Sequence, residues 1–345
     1  MRQLAYLLKN YKDGGIAAPR RKVNRPPLLT CKSQDKNHVS SIYFSNYQLK
    51  ENTEYFLYIG ELKNYGLNLF LKEALDRNHD KKVDFIAIVP DLAEQYNYEN
   101  LIVVNPRAQS PEAAGGNQFA CRVSAKEFMT AVSRDPDIRI LVDQILERQD
   151  NLFLYMYESL MENTLDEIKG VSILGPEKQI AKFTNNKIHQ LNGLKDQVPV
   201  VDFKICKGYQ DLIATTDGLW DKWRDGIFVT KEYSAAGINS CVAFSSADII
   251  EKFADQDVNY IITRFLPHTL DPTVLAVVAN PEEVYIAGVA DQRIENGNRF
   301  TGSTFPSVVT LEQAKRLEEY TRKVGKWLAQ QGYKGIYGCD YIITH

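Results

Sequence analysis

Between residues 55 and 174 short apolar runs, most of them closed by glycine, proline or asparagine, alternate with stretches of helical spacing. Tyr55-Phe-Leu-Tyr-Ile59 stops at Gly60 and leads into Leu67-Asn-Leu-Phe-Leu-Lys-Glu-Ala-Leu75. Val83-Asp-Phe-Ile-Ala-Ile-Val89 stops at Pro90, and Leu101-Ile-Val-Val104 stops at Asn105-Pro106. Leu152-Phe-Leu-Tyr-Met-Tyr157 follows, then Val171-Ser-Ile-Leu174 before Gly175-Pro176. Runs that stay apolar instead of alternating with polar residues are strands buried on both faces, which calls for a parallel sheet covered by helices on each side.

This predicts a Rossmann-like α/β layer over residues 51–178, preceded by a polar, turn-rich lead-in over 1–50. No G-x-G-x-x-G follows the first strand, so Gly60 and Gly66 read as turn and packing glycines and not as a dinucleotide fingerprint. Gly115-Gly116 mark a loop that would border a substrate cleft or serve only as a connection.

The remaining composition excludes several classes. At 345 residues, 44% of them hydrophobic, the chain can hold two or three domains. A formal charge of −3 supplies no general attraction to nucleic acid or to an anionic membrane. The five cysteines are scattered without a C-x-x-C pair, and the five histidines are isolated, which argues against a disulfide scaffold and against zinc. No G-x-S-x-G elbow or phosphate-binding P-loop is present. The apolar run Leu4–Leu8 is broken by Lys9, far short of a signal h-region or a membrane span, so the expected location is the cytoplasm.

From residue 179 the pattern becomes α+β. Ile180, Phe183, Ile188, Leu191 and Leu194 keep helical spacing. Strand patterns follow at Ile227–Lys231, Val242–Phe244, Asn259–Pro267, Thr273–Val278 and Val284–Ala287, with a helical pattern over Ser246–Phe253 between the second and third of them. A long helix is expected over Leu311–Gln330, and a last strand over Cys339–Ile343. Three charged residues stand out: Lys187 in Phe183-Thr-Asn-Asn-Lys-Ile188, Lys231 closing Ile227-Phe-Val-Thr-Lys231, and Asp340 in Gly335-Ile-Tyr-Gly-Cys-Asp340.

In this order they resemble the ATP-grasp superfamily. The similarity covers residues 179–345 most closely and the preceding α/β layer more loosely. It implies a Rossmann-like pre-ATP-grasp domain (51–178) and an ATP-grasp core of two α+β lobes (179–345), with a lid at about 200–262. By that resemblance Lys187 and Lys231 meet the phosphates of ATP. Ser234-Ala-Ala-Gly237, poorer in glycine than the family's usual run, closes over them. Thr263-Arg264-Phe265-Leu266 forms the adenine hinge, with Arg264 where an acid is usual. Asp271 serves the ribose hydroxyls or is a turn residue before Pro272.

Gln292, Arg293 and Arg299 are the resemblance's candidates for a carboxylate or the transferring phosphoryl group, since guanidinium suits both; surface salt-bridging is the rival reading. Asp340 takes the first Mg²⁺ position. The family's second metal acid, in a Glu-x-Asn about a dozen residues later, would fall beyond His345, so the chain is expected to be incomplete there.

The implied cofactors are ATP and Mg²⁺. The implied activity is that of a ligase joining a small-molecule carboxylate, activated as an acyl phosphate, to an amine, with amino acids or peptides as the natural guess. A homodimer is compatible with this; nucleic acid and membrane partners are not expected. Three alternatives stay open: a phosphotransferase or carboxylase on the same core, a non-catalytic ATP-binding module, and an NAD-linked enzyme.

Overall fold

A computed structural model describes residues 40–77, 81–92, 98–108, 121–156, 159–234, 239–295 and 299–344. The chain divides into two compact units, Met1–Val39 and Ser40–His345, and every described residue lies in the second.

The first sheet has six strands: β1 (Ile42–Asn46), β2 (Thr53–Ile59), β3 (Lys82–Val89), β4 (Leu101–Val104), β5 (Leu152–Met156) and β6 (Val171–Ile173). Their order is β1-β4-β3-β2-β5-β6. The pairs from β4 across to β6 are all parallel. Val83–Val89 and Leu101–Val104 are buried throughout, as their unbroken apolar runs require. The lead-in ends earlier than expected, because β1 pairs antiparallel with β4 from Ile42 to Asn46. An edge strand with one face solvated is too short and too polar in its flanks to show a run of its own.

Helix α1 (Tyr65–Asp76) covers one face of this sheet, while α2 (Ala125–Arg134) and α3 (Pro136–Leu146) cover the other. The Ser124 hydroxyl accepts the Glu127 N–H at 3.2 Å and Glu127 accepts the Ser124 N–H at 2.8 Å, a capping box that starts α2. Asp135 ends α2 and caps α3, whose first residue is Pro136. The Asp135 carboxylate also accepts the Ser41 N–H at 2.7 Å, tying β1 to the helical layer.

Two short helices, α4 (Lys178–Asn185) and α5 (Lys187–Leu194), lead to a second sheet. It contains β7 (Phe203–Lys207), β8 (Ile227–Lys231), β9 (Ser240–Ala243) and β10 (Asn259–Arg264), all antiparallel in the order β7-β10-β8-β9. Helices α6 (Gly208–Asp217) and α7 (Ser246–Lys252) close one face over Cys206, Val229, Tyr260 and Ile262.

The third sheet is also antiparallel, in the order β13-β12-β11-β14. Its strands are β11 (Pro272–Val278), β12 (Val284–Glu295), β13 (Arg299–Thr304) and β14 (Gly335–Asp340). Helix α8 (Leu311–Gln330) packs on one face, where Ala276, Val278, Val284 and Tyr337 meet Trp327 and Leu328. A Cβ on Gly193 would collide with the Trp327 indole, so glycine is what lets α5 approach α8. The opposite face is bare: Leu275 is 49%, Tyr285 56% and Ile336 52% exposed. The last strand is not Cys339–Ile343 but Gly335–Asp340, with Ile343 making only an isolated bridge to Leu270. Two glycines hide the apolar half of β14 from a reading by residue type. Among the described residues no helix is long and apolar enough to cross a membrane.

Candidate functional site

Asp340 is the last residue of β14 and lies opposite Thr273 of β11, which in turn lies opposite Ala290 of β12. Side chains alternate along strands, so Gln292 shares this bare face. The ladder runs on through the Tyr341 N–H to the Pro272 carbonyl at 2.9 Å and the Leu270–Ile343 bridge, placing Asp271 on that face as well. Cys339 and Tyr341, on either side of Asp340, turn toward α8. There the Tyr341 and Thr321 hydroxyls meet at 2.8 Å and the Tyr337 hydroxyl donates to the Thr321 carbonyl at 2.7 Å. Asp340 is thus presented outward by a strand end anchored behind it.

Lys187 begins α5, and Asn186 fixes where. The Asn186 backbone is extended (φ −73°, ψ 116°), which breaks the helical run expected from Ile180 to Leu194 into α4 and α5. Its side-chain oxygen accepts the N–H groups of Ile188 at 2.9 Å and His189 at 3.3 Å. Its amide donates to the Glu232 carboxylate at 2.8 Å, and the Lys187 N–H donates to the Glu232 carbonyl at 3.0 Å. The start of α5 is therefore clasped to the residue that follows β8.

The Lys187 ammonium is half-buried. Burial lowers its pKa, and the charge of Asp340 acts in the opposite direction. Among the described residues it has no ion-pair or hydrogen-bond partner. A partly desolvated cation with only a nearby carboxylate to offset it is suited to receiving an anionic group.

Lys231 ends β8 opposite Tyr260, and its ammonium is bound by the Asp255 carboxylate. The Ser234 hydroxyl lies 2.5 Å from that of Thr230, while Gly237 falls outside the described residues. In the segment expected to form the hinge, the Arg264 N–H donates to the Asp202 carbonyl at 3.0 Å and its guanidinium lies 3.7 Å from Asp225. The Arg264 Nε is buried without a partner among the described residues.

The Phe265 N–H is already given to the Gly226 carbonyl at 3.1 Å. Gly226 has φ +105°, a backbone shape that favours glycine. Leu266 keeps its N–H without a partner among the described residues, and its carbonyl is met by His268 Nδ1 at 2.8 Å. His268 Nε2 lies 2.9 Å from Asp271 Oδ1.

Arg293 and Arg299 do not join this group. Alternation places Arg293 with Asp291 on the α8 side of the sheet, and its Nε donates to the Thr304 hydroxyl at 2.9 Å. Arg299 stands exposed opposite Glu295 at the far end of the ladder. Gln292, not its neighbour Arg293, shares a face with Asp340. Glu232 and His268 are additions that residue type alone did not indicate, since their roles depend on partners brought close by folding.

For a divalent cation, no group of three or more His, Cys, Asp or Glu side chains converges among the described residues. Mg²⁺ is commonly held by one or two carboxylates together with nucleotide phosphates, and Asp340, outward-facing and within electrostatic reach of Lys187, fits as such a carboxylate.

No family model and no curated protein matches the sequence. Solved structures do match. An ADP complex of N5-carboxyaminoimidazole ribonucleotide synthetase aligns over 87% of this chain and 69% of its own, at 15% identity and a TM-score of 0.57. N5-carboxyaminoimidazole synthetase from Staphylococcus aureus with ADP aligns over 90% of this chain and 70% of its own, at 11% identity and a TM-score of 0.55. The VanG D-Ala:D-Ser ligase from Enterococcus faecalis aligns over 86% of this chain and 87% of its own, at 13% identity and a TM-score of 0.53. Identities this low speak to architecture alone, and by architecture this chain has the ATP-grasp fold.

Proposed function

We propose that the chain binds ATP on the bare face of the third sheet and acts as a ligase that activates a carboxylate for attack by an amine. The division at about residue 178 then separates a pre-ATP-grasp layer from the nucleotide-binding core, with the second sheet as lid. The carrying observation is Lys187, half-buried and unpaired among the described residues, within electrostatic reach of outward-facing Asp340.

In this reading Lys187 receives phosphate oxygens, Leu266 offers its free N–H to the base edge, and Asp271 accepts from the ribose. Asp340 would hold Mg²⁺, which supplies charge neutralisation at the phosphates. The γ-phosphoryl group passes to a carboxylate oxygen, giving an acyl phosphate and ADP. The amine then attacks the carbonyl carbon and phosphate leaves, with the amine proton released. The chain's part is positioning and charge stabilisation. Gln292, on the same face, would orient the carboxylate in this reading.

The test is displacement of a fluorescent ATP analogue by ATP in Mg²⁺ buffer. Lys187→Met should weaken ATP by tenfold or more, on the order expected for a charge-assisted contact. Unchanged affinity would refute the assignment. A second reading, nucleotide binding without turnover, draws on Lys231, whose ammonium is already neutralised by Asp255. ADP release that depends on added carboxylic acid and amine decides between the two.

A further inference from the structure

The loop from Phe265 to Asp271 is tied at both ends by one side chain. His268 Nδ1 is 2.8 Å from the Leu266 carbonyl oxygen, and Nε2 is 2.9 Å from Asp271 Oδ1. A carboxylate oxygen only accepts, so Nε2 is the donor where His268 meets Asp271. The Phe265 ring stands edge-on to the imidazole, with ring centroids 6.1 Å apart. One Asp271 oxygen is thereby held, while the other has no hydrogen-bond partner among the described residues. An aspartate before proline would otherwise be free to turn back on its own backbone.

We propose that His268 is a positioning residue for ribose recognition: it locks Asp271 so that the free carboxylate oxygen accepts a ribose hydroxyl while Leu266 presents its N–H to the base. This rests on the ATP-binding reading above. It adds a residue that touches no substrate and acts through Asp271, and it makes discrimination between ribose and deoxyribose nucleotides depend on an imidazole.

The experiment measures affinity for ATP and for 2′,3′-dideoxy-ATP in the wild type, His268→Ala, Asp271→Ala and the double variant. The wild type should prefer ATP by about tenfold, the scale of a hydrogen bond to a charged group, and His268→Ala should bring the ratio close to one. The double variant should be no worse than Asp271→Ala, since the histidine acts only through the carboxylate.

A wild-type ratio retained in His268→Ala, or additive losses in the double variant, would overturn the proposal and leave the ATP reading standing. Failure of the wild type to bind either nucleotide would overturn both. Should His268→Ala not fold, the same ratio in His268→Phe, which fills the space but donates nothing, decides: it should fall close to one, and an unchanged ratio counts against the proposal.

Discussion

Replacing Asn186 separates two things it does at once. As a cap it satisfies the N–H groups of Ile188 and His189, and as a clasp it donates to the Glu232 carboxylate at 2.8 Å. Loss of an N-cap costs about 1 kcal/mol, and loss of a hydrogen bond to a charged group about 2 kcal/mol. Asn186→Ala should therefore lower the local opening free energy of α5 by about 3 kcal/mol, speeding amide exchange in its first turn roughly 100-fold. Asn186→Ser retains a capping oxygen but cannot reach Glu232, so about 2 kcal/mol and roughly 30-fold remain.

Hydrogen–deuterium exchange on a peptide spanning 186–194 reads this directly and does not require the whole chain to unfold in one step. Equal exchange in the two variants would show that the cap contributes nothing. Exchange near the wild-type rate in both would refute the clasp as well. Because Lys187 is the next residue, ATP affinity should fall in the same order as protection.

At the other end of the chain's core, Glu127 is held down to about 2 by the Ser124 N–H and by Arg107, below its ordinary 4.5. A carboxyl with a lowered folded-state pKa gives stability that is complete above the ordinary value and lost as pH falls through 4.5 toward 2, so Glu127→Gln should flatten the decline in urea midpoint between about pH 5 and pH 3. Thr321→Val preserves shape but removes the hydroxyl that meets Tyr341 at 2.8 Å, and should cost about 1–3 kcal/mol in urea unfolding. ATP affinity should weaken with it, since Tyr341 adjoins Asp340; undiminished affinity at reduced stability would show that the anchor does not position the carboxylate.

What could be read from the residues follows from how local each signal is. The apolar runs of β3 and β4 and the helix Leu311–Gln330 announce themselves, because burial on both faces and a long amphipathic period leave no other economical reading. Strand β1 does not, because its evidence is its partner, β4, more than fifty residues away. Helices α2 and α3 were open to recognition through Ser124-x-x-Glu127 and Asp135-Pro136, signals that speak through caps instead of hydrophobic runs.

The site shows the same limit more sharply. Lys187 and Asp340 are suggested by order along the chain, and the fold brings their charges within mutual influence. Between Gln292 and Arg293, chemistry by itself favours the arginine, since guanidinium matches carboxylate and phosphate. The choice belongs to register. Asp340 lies opposite Thr273 and Thr273 opposite Ala290, and counting by twos along β12 reaches Gln292 on that face and leaves Arg293 on the other. A slip of one residue of β12 against β11 would exchange them, and the slip is opposed by Val284 and Ile286, which would then trade their positions under α8 for the bare face. The identity of the residue that shares a face with Asp340 is thus enforced by apolar side chains on the opposite side of the sheet.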